Sequence, residues 1–92
     1  MIEQETAYFY VLNCADNTFY AGYTTNIERR LVEHNSGKGA KYTRLAKRRP
    51  VKLIHLEKFS SKSLAMKAEY AFKQLTRKNK EAYLKQTKSD II

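Results

Sequence analysis

The chain has 92 residues, 42% of them hydrophobic, and carries 18 Lys and Arg against nine Asp and Glu, a formal charge of +9. That length supports one modest core, burying about 60 to 65% of the unfolded surface, and excludes a second domain. Apolar residues spread along the whole chain exclude a disordered basic tail. The single Cys14 excludes an intrachain disulfide, and no Cys/His spacing suggests zinc. The start, MIEQETAYFYVL, lacks the basic flank of a signal peptide and the length of a membrane span, so a cytoplasmic protein with no membrane association is expected.

In chain order, residues 8 to 14, YFYVLNC, are aromatic and β-branched enough to predict a strand. Thr18 to Ala21 predict its hairpin partner across Ala15, Asp16 and Asn17. Thr25 and Glu28 have capping-box spacing ahead of IERRLVEHN, where Ile27 and Leu31 recur at a helical interval, predicting a helix over about 26 to 35. Ser36-Gly37-Lys38-Gly39 ends it, and the segment up to Pro50 has no periodicity, which predicts an ordered, exposed loop. VKLIHLEKF at 51 to 59 predicts a third strand buried on both faces through Leu53, Ile54 and Leu56. Ser60 and Ser61 offer N-caps for a second helix with the stripe Leu64, Ala68, Ala71, Phe72 and Leu75. Thr76 to Lys80 are expected to break it, with a short terminal helix starting at EAYL and fading in KQTKSDII. The expected fold is α+β, a three-stranded antiparallel sheet flanked by helices, forming one domain over residues 1–92 with its core at about 7–86.

The charge is uneven. From His34 to Leu56 there is no carboxylate, while Lys38, Lys41, Arg44, Lys47, Arg48, Arg49 and Lys52 all fall there. Such a patch attracts a polyanion and releases counterions on binding. A merely solubilising basic surface would have the same composition.

Four further features carry chemistry. Tyr8 and Tyr10 share one face of the first strand, and Tyr20 ends the second beside Gly22; they are either packing aromatics or site groups. Arg30 and His34, four residues apart, share one helix face. An Arg there can hold a phosphate and a His can move a proton near neutral pH, unless the pair belongs to a solvated surface. Glu69 flanks the apolar stripe of the second helix. It either pairs with Lys67 or Lys73, or serves as the single carboxylate of a Mg²⁺ ion that keeps waters and phosphate oxygens as its other ligands.

These residues resemble the GIY-YIG nuclease superfamily: YFY-V-L, then YAG, Arg-x3-His eight residues after that glycine, a basic loop containing Gly-Lys-Gly, and Glu-x3-Lys on a later helix. ADNTFYAGYTTNIERRLVEHNSGKGAKYT looks like its small stand-alone bacterial, UPF0213-like branch. The resemblance covers about Tyr8 to Lys80. It implies that Tyr10 and Tyr20 are the tyrosines of the first and second motifs, Arg30 the family arginine, His34 a group near the reacting water, and Glu69 the ligand of one divalent ion, Mg²⁺ or Mn²⁺. The implied reaction is metal-assisted hydrolysis of a DNA phosphodiester, in a setting of DNA repair or recombination. Tyr10, helped by His34, would deprotonate water, Arg30 would stabilise the phosphate, and the basic loop, from Lys38, Lys41 and Arg44 to Lys47, Arg48 and Arg49, would grip the strand.

Three positions depart from the family pattern: Tyr8 and Phe9 stand for Gly and Ile, and Tyr23 stands where some active members place a lysine. Register supplies a separate test. A two-residue Asp16-Asn17 loop would pair Tyr10 with Tyr23 and turn Tyr20 away. A three-residue loop, with Asn17 or a neighbour left-handed, is expected to pair position 10 with 24 and put Tyr10 and Tyr20 on one face. The competing functions are a DNA- or RNA-binding adaptor that does not cleave, and a protein that docks on an acidic partner.

Overall fold

The computed structural model describes residues 6–91. Seven residues rich in aromatic and β-branched side chains, Ala7–Asn13, form β1. The chain returns as β2, Phe19–Thr24, three residues longer at its far end than the sequence suggests. The connection is the expected three-residue loop: Cys14 N donates to Thr18 O at 2.8 Å, and Asn17 adopts φ 64°. Its register pairs Tyr10 with Gly22, not with residue 24. A shift of two leaves every side chain on its own face, so Tyr10 and Tyr20 do share one side of the sheet.

After β2 the first helix, α1 (Ile27–Asn35), is capped by Asn26, whose side chain accepts from Arg29 N at 3.0 Å. Thr25, the expected cap, lies one residue too early, and Thr24 instead accepts from Asn26 N at 3.1 Å. The following basic segment is ordered by two 3₁₀ turns, Tyr42–Arg44 and Ala46–Arg48.

β3 (Lys52–Phe59) pairs antiparallel with β1, giving the strand order β2-β1-β3. A bulge lets Val11 pair with His55 and Leu12 with Leu53, so Ile54 is the extra residue. It explains how Leu53 and Leu56, three apart, both reach one face while Ile54 reaches the other.

α2 (Lys62–Lys73) is capped by Ser61, and α3 (Arg77–Gln86) by Thr76, whose hydroxyl accepts from Asn79 N at 3.2 Å. α3 therefore starts four residues before the expected EAYL. The Thr76 cap satisfies first-turn amides, and Thr76 to Lys80 are a helix start and not only a break. Within α2, Ala65 and Phe72 are buried and Ala68 is partly buried, but Leu64 is 43% exposed and Ala71 also faces out. The stripe is centred on Ala65, Ala68 and Phe72. Beyond α3 the chain does not simply fade. Ser89 Oγ accepts from Leu56 N at 3.1 Å and Asp90 N donates to Leu56 O at 2.6 Å, covering the open edge of β3.

Because β1 is central, both of its faces are buried. Tyr10, Leu12, Val51 and Leu56 pack against Ile27 and Leu31 of α1, with Tyr20 and Tyr42 alongside. Phe9, Val11 and Ala21 pack against Phe72, Ala68, Tyr83 and Leu84 of α2 and α3. Each fully buried Phe contributes about 1.5 to 3 kcal/mol.

Candidate active site

The site lies on the α1 face, where β1, β2, α1 and the basic loop meet. Tyr10 reaches across its neighbour strand because residue 22 has no side chain: a Cβ there would lie 2.5 Å from the Tyr10 hydroxyl. That is the local reason for a glycine in YAG. Tyr10 Oη lies 2.8 Å from His34 Nε2, and Arg30 Nε donates to the same oxygen at 3.4 Å.

The histidine is fully buried, not a surface side chain on a solvated helix. The Gly-Lys-Gly segment makes this possible, since a Cβ at Gly39 would sit 2.7 Å from His34 Nδ1. Thr43, also fully buried, brings its hydroxyl to 2.7 Å from that nitrogen and donates to Ala40 O at 3.2 Å. A hydroxyl has one proton; with it directed at Ala40 O, Thr43 accepts from His34 Nδ1–H. This assigns the tautomer: Nε2 is the free lone pair, and Tyr10 donates to it. The result is a directed chain from Arg30 through Tyr10, His34 and Thr43 to Ala40 O.

The electrostatics follow from burial. Desolvation pushes the Tyr10 phenol up from 10.0 to about 12, against the pull of the Arg30 hydrogen bond, with Tyr20 and Glu69 adding to the rise. Burial, assisted by the Arg30 charge, brings His34 down from 6.5 to about 4. Resting His34 is neutral, so the expected titration near neutral pH is not found. Burial also opposes the Arg30 charge, but hydrogen bonds with Tyr10 and Glu33 outweigh it and raise its pKa. Arg30 reaches Glu33 at 3.1 Å and helps line an open polar cleft with Tyr23, Thr24, Arg29 and Lys62.

Tyr20 lies between the catalytic candidates and the loop. Its ring centroid is 6.5 Å from that of Tyr10, 5.2 Å from His34 and 5.8 Å from Tyr42, which stacks on it. Lys73 Nζ stands 5.8 Å from the Tyr20 ring and 3.3 Å from Glu69 Oε2. Lys73 thus brings a cation to Tyr20 from α2, and it is one of the two ion-pair partners, Lys67 or Lys73, that the sequence offered Glu69.

Among the described residues no cluster of three or more His, Cys, Asp or Glu could hold a metal. Glu69 still fits a hard divalent ion that needs a single protein carboxylate: it is partly buried, close enough to raise the Tyr10 pKa, and paired with the half-exposed ammonium of Lys73, which a metal could displace.

The basic-loop residues divide into two groups. Lys38, Lys41, Arg44 and Lys47 are all exposed to solvent. Arg48 turns inward, bonding Asp16 Oδ2 at 3.2 Å and Tyr42 O at 3.1 Å while its guanidinium lies 3.7 Å over the Tyr42 ring. Arg49 donates to Arg44 O at 3.3 Å and packs over Gly37. Composition could not separate the two groups. Nor did it single out Thr43 or Tyr42; the only cue was their place shortly after Gly-Lys-Gly.

A small α+β domain that gathers two tyrosines, an arginine, a histidine and a carboxylate beside a cationic loop has the parts of a nuclease-type site. Residues 6–88 match the GIY-YIG catalytic domain, and the chain belongs to that family. It is 68% identical over 85 residues to the UPF0213 protein of Enterococcus faecalis, covering 92% of this chain and 97% of that protein. It is 54% identical over 90 residues to the UPF0213 protein lmo0166 of Listeria monocytogenes, covering 98% of each. Among solved structures it resembles protein EF2693 from E. faecalis, with a TM-score of 0.61 at 68% identity, over 92% of this chain and 88% of that one. It also resembles the UPF0213 protein BH0048 from Bacillus halodurans, with a TM-score of 0.57 at 44% identity, over 87% and 83%. The family implies a nuclease-type function and contact with nucleic acid, and its nucleases generally use a divalent metal. Among the described residues no helix is long and apolar enough to cross a membrane.

Proposed function

We propose that the protein is a metal-dependent endonuclease that hydrolyses phosphodiester bonds in DNA, with Tyr10, Tyr20, Arg30 and His34 as its catalytic group and Glu69 as its metal ligand. The observation that carries this reading is the buried hydrogen-bonded chain from Arg30 through Tyr10 to Nε2 of His34.

A phenol near pKa 12 is a poor base by itself at neutral pH. The chain offers a second acceptor in His34, which is weak while its pKa is near 4 and strengthens when substrate is bound. As Tyr10 Oη takes a proton from water, its own proton passes to His34 Nε2, and Tyr10 remains neutral. The hydroxide forms the new O–P bond, and the leaving oxygen departs with the electron pair of the broken P–O bond and is protonated from solvent. Arg30 couples substrate to base: its charge helps hold the His34 pKa down, so a phosphate that neutralises Arg30 makes His34 a stronger acceptor. Tyr20 packs between Tyr10, His34 and Tyr42 and holds the Tyr10 ring in place. Glu69 would hold Mg²⁺ or Mn²⁺, which when bound supplies Lewis-acid stabilisation of the leaving oxygen. Lys38, Lys41, Arg44 and Lys47 would grip the backbone directly, while Arg48 and Arg49 hold the loop in shape for that grip.

The test is cleavage of labelled single-stranded, duplex, nicked and branched DNA, and RNA, with Mg²⁺ or Mn²⁺. Tyr10→Phe should lose about 10²- to 10⁴-fold in rate and Arg30→Ala about 10²- to 10³-fold. Glu69→Ala should abolish metal-dependent cleavage yet still bind. Binding by wild type with no cleavage of any substrate would replace the nuclease with a nucleic-acid-binding adaptor.

A further inference from the structure

Next to the catalytic group, the basic loop has a feature that phosphate binding does not require. Leu45 connects the two 3₁₀ turns in extended conformation and is 48% exposed, in the middle of a segment without a carboxylate. It borders an open, largely apolar pocket whose other walls are Lys41, Tyr42, Arg44 and Arg48. We propose that this pocket receives an unpaired nucleobase of the strand that crosses the Tyr10–His34 site. The proposal deepens the nuclease reading and rests on it.

Three observations support a base as the occupant. The pocket is built in advance: Arg48 is fixed by Asp16, by Tyr42 O and by the Tyr42 ring, and Arg48 N donates to Leu45 O at 3.0 Å. Its surfaces suit a heterocycle, an apolar Leu45 beside the flat Arg48 guanidinium, and guanidinium planes stack well on bases. Its rim is cationic, with exposed Lys41 and Arg44 placed to meet the flanking phosphates. The pocket also adjoins the site, because its Tyr42 wall stacks on Tyr20, which in turn contacts His34.

A base held in a duplex stack cannot enter such a pocket, so the substrate class is nucleic acid with at least one unpaired nucleotide next to the cut: a single strand, a flap or a bulge. The experiment is fluorescence anisotropy of the full chain, without metal, on three labelled DNAs: a perfect duplex, the same duplex with a one-nucleotide bulge, and that bulge with its base replaced by an abasic sugar. Wild type should prefer the base-containing bulge over both others by about fivefold or more, the scale of one base–side-chain stack. Leu45→Ser should bring the three affinities within about twofold while leaving that for the perfect duplex unchanged. Equal binding of all three by wild type, an abasic bulge as good as the intact one, or a preference that survives Leu45→Ser would each overturn the proposal. Cleavage without the bulge preference removes only the pocket, whereas the preference without cleavage of any DNA removes only the nuclease.

Discussion

Each face of the sheet buries a histidine beside a tyrosine, and the two arrangements have different consequences. On the α2–α3 face, His55 Nε2 lies 2.8 Å from Glu57 Oε2, and the same oxygen accepts the Tyr83 hydroxyl. Phe9 and Phe72 close around them, with ring centroids 5.5 Å apart. Burial and the Glu57 contact raise the Tyr83 pKa, so that phenol stays a permanent donor. On the α1 face, His34 is hydrogen-bonded to two hydroxyls in place of a carboxylate, and the network ends at Arg30, which borders a polar cleft. One network is closed on itself and holds α3 to the sheet. The other ends at a charged group able to take an external anion. A buried histidine and tyrosine become a candidate site only when the network leaves a charge open to solution.

The largest effect that separates the two faces should come from Phe72→Ala. It removes the ring that packs on Phe9 and Tyr83, at about 3 to 5 kcal/mol of folding stability in urea unfolding, while the remaining folded protein binds DNA as before. A comparable loss of DNA binding per folded molecule would mean that the two faces are coupled and would break the contrast.

The next effect is a pH dependence belonging to the α1 face. Folding lowers the His34 pKa from 6.5 to about 4, so between these values the unfolded chain binds more protons than the folded one. This contribution to stability is fully present above pH 6.5 and falls away as the pH drops toward about 4. Unfolding free energy should drop by about 2 to 3 kcal/mol between pH 7.5 and 4.5. His34→Gln, which has no titrating group there, should lose correspondingly less. Identical pH slopes for both proteins would place the acid sensitivity elsewhere. By the same pKa, a kcat/KM limb that reports His34 in the free protein should lie near pH 4, and the kcat limb above it once phosphate covers Arg30.

Sequence patterns reached the architecture and the shared face of Tyr10 and Tyr20 because both depend on local periodicity and on parity, which survives a register error of two residues. They reached the start of α3 poorly: Thr76 can cap a helix or break one, and Arg77–Lys80 have no apolar period to declare a helix. Helix position nominates Arg30 and Glu69 but leaves a surface pair as the alternative, and only the resemblance favours the site, since an Arg and a Glu on basic helices have no pattern that separates the two. The environment of His34 was not legible at all. Its burial depends on close approach at Gly39 and on Thr43, nine residues away across a loop, and neither contact repeats with any secondary-structure period. The division of the loop arginines is hidden for the same reason: Arg48 finds Asp16, 32 residues earlier, only after the hairpin has folded.

The smallest effect, and the one that most sharpens the comparison, concerns Thr43. Thr43→Val is nearly isosteric but leaves His34 Nδ1–H buried without an acceptor, a cost of about 1 to 3 kcal/mol. The ring can relieve that cost by moving its proton to Nε2, which would then point a donor at Tyr10 and remove the acceptor that Tyr10 needs. Nitrogen NMR of the imidazole should therefore report the Nδ1–H tautomer in wild type, the Nε2–H tautomer in Thr43→Val, and recovery in Thr43→Ser. The His55 signals, on the opposite face, should not move. Cleavage should follow the tautomer and not the stability: lost in Thr43→Val and restored in Thr43→Ser even if the serine protein is the less stable of the two. Full activity with the inverted tautomer would show that Tyr10 does not pass its proton to His34, and the α1 network would then be as purely structural as the one around His55.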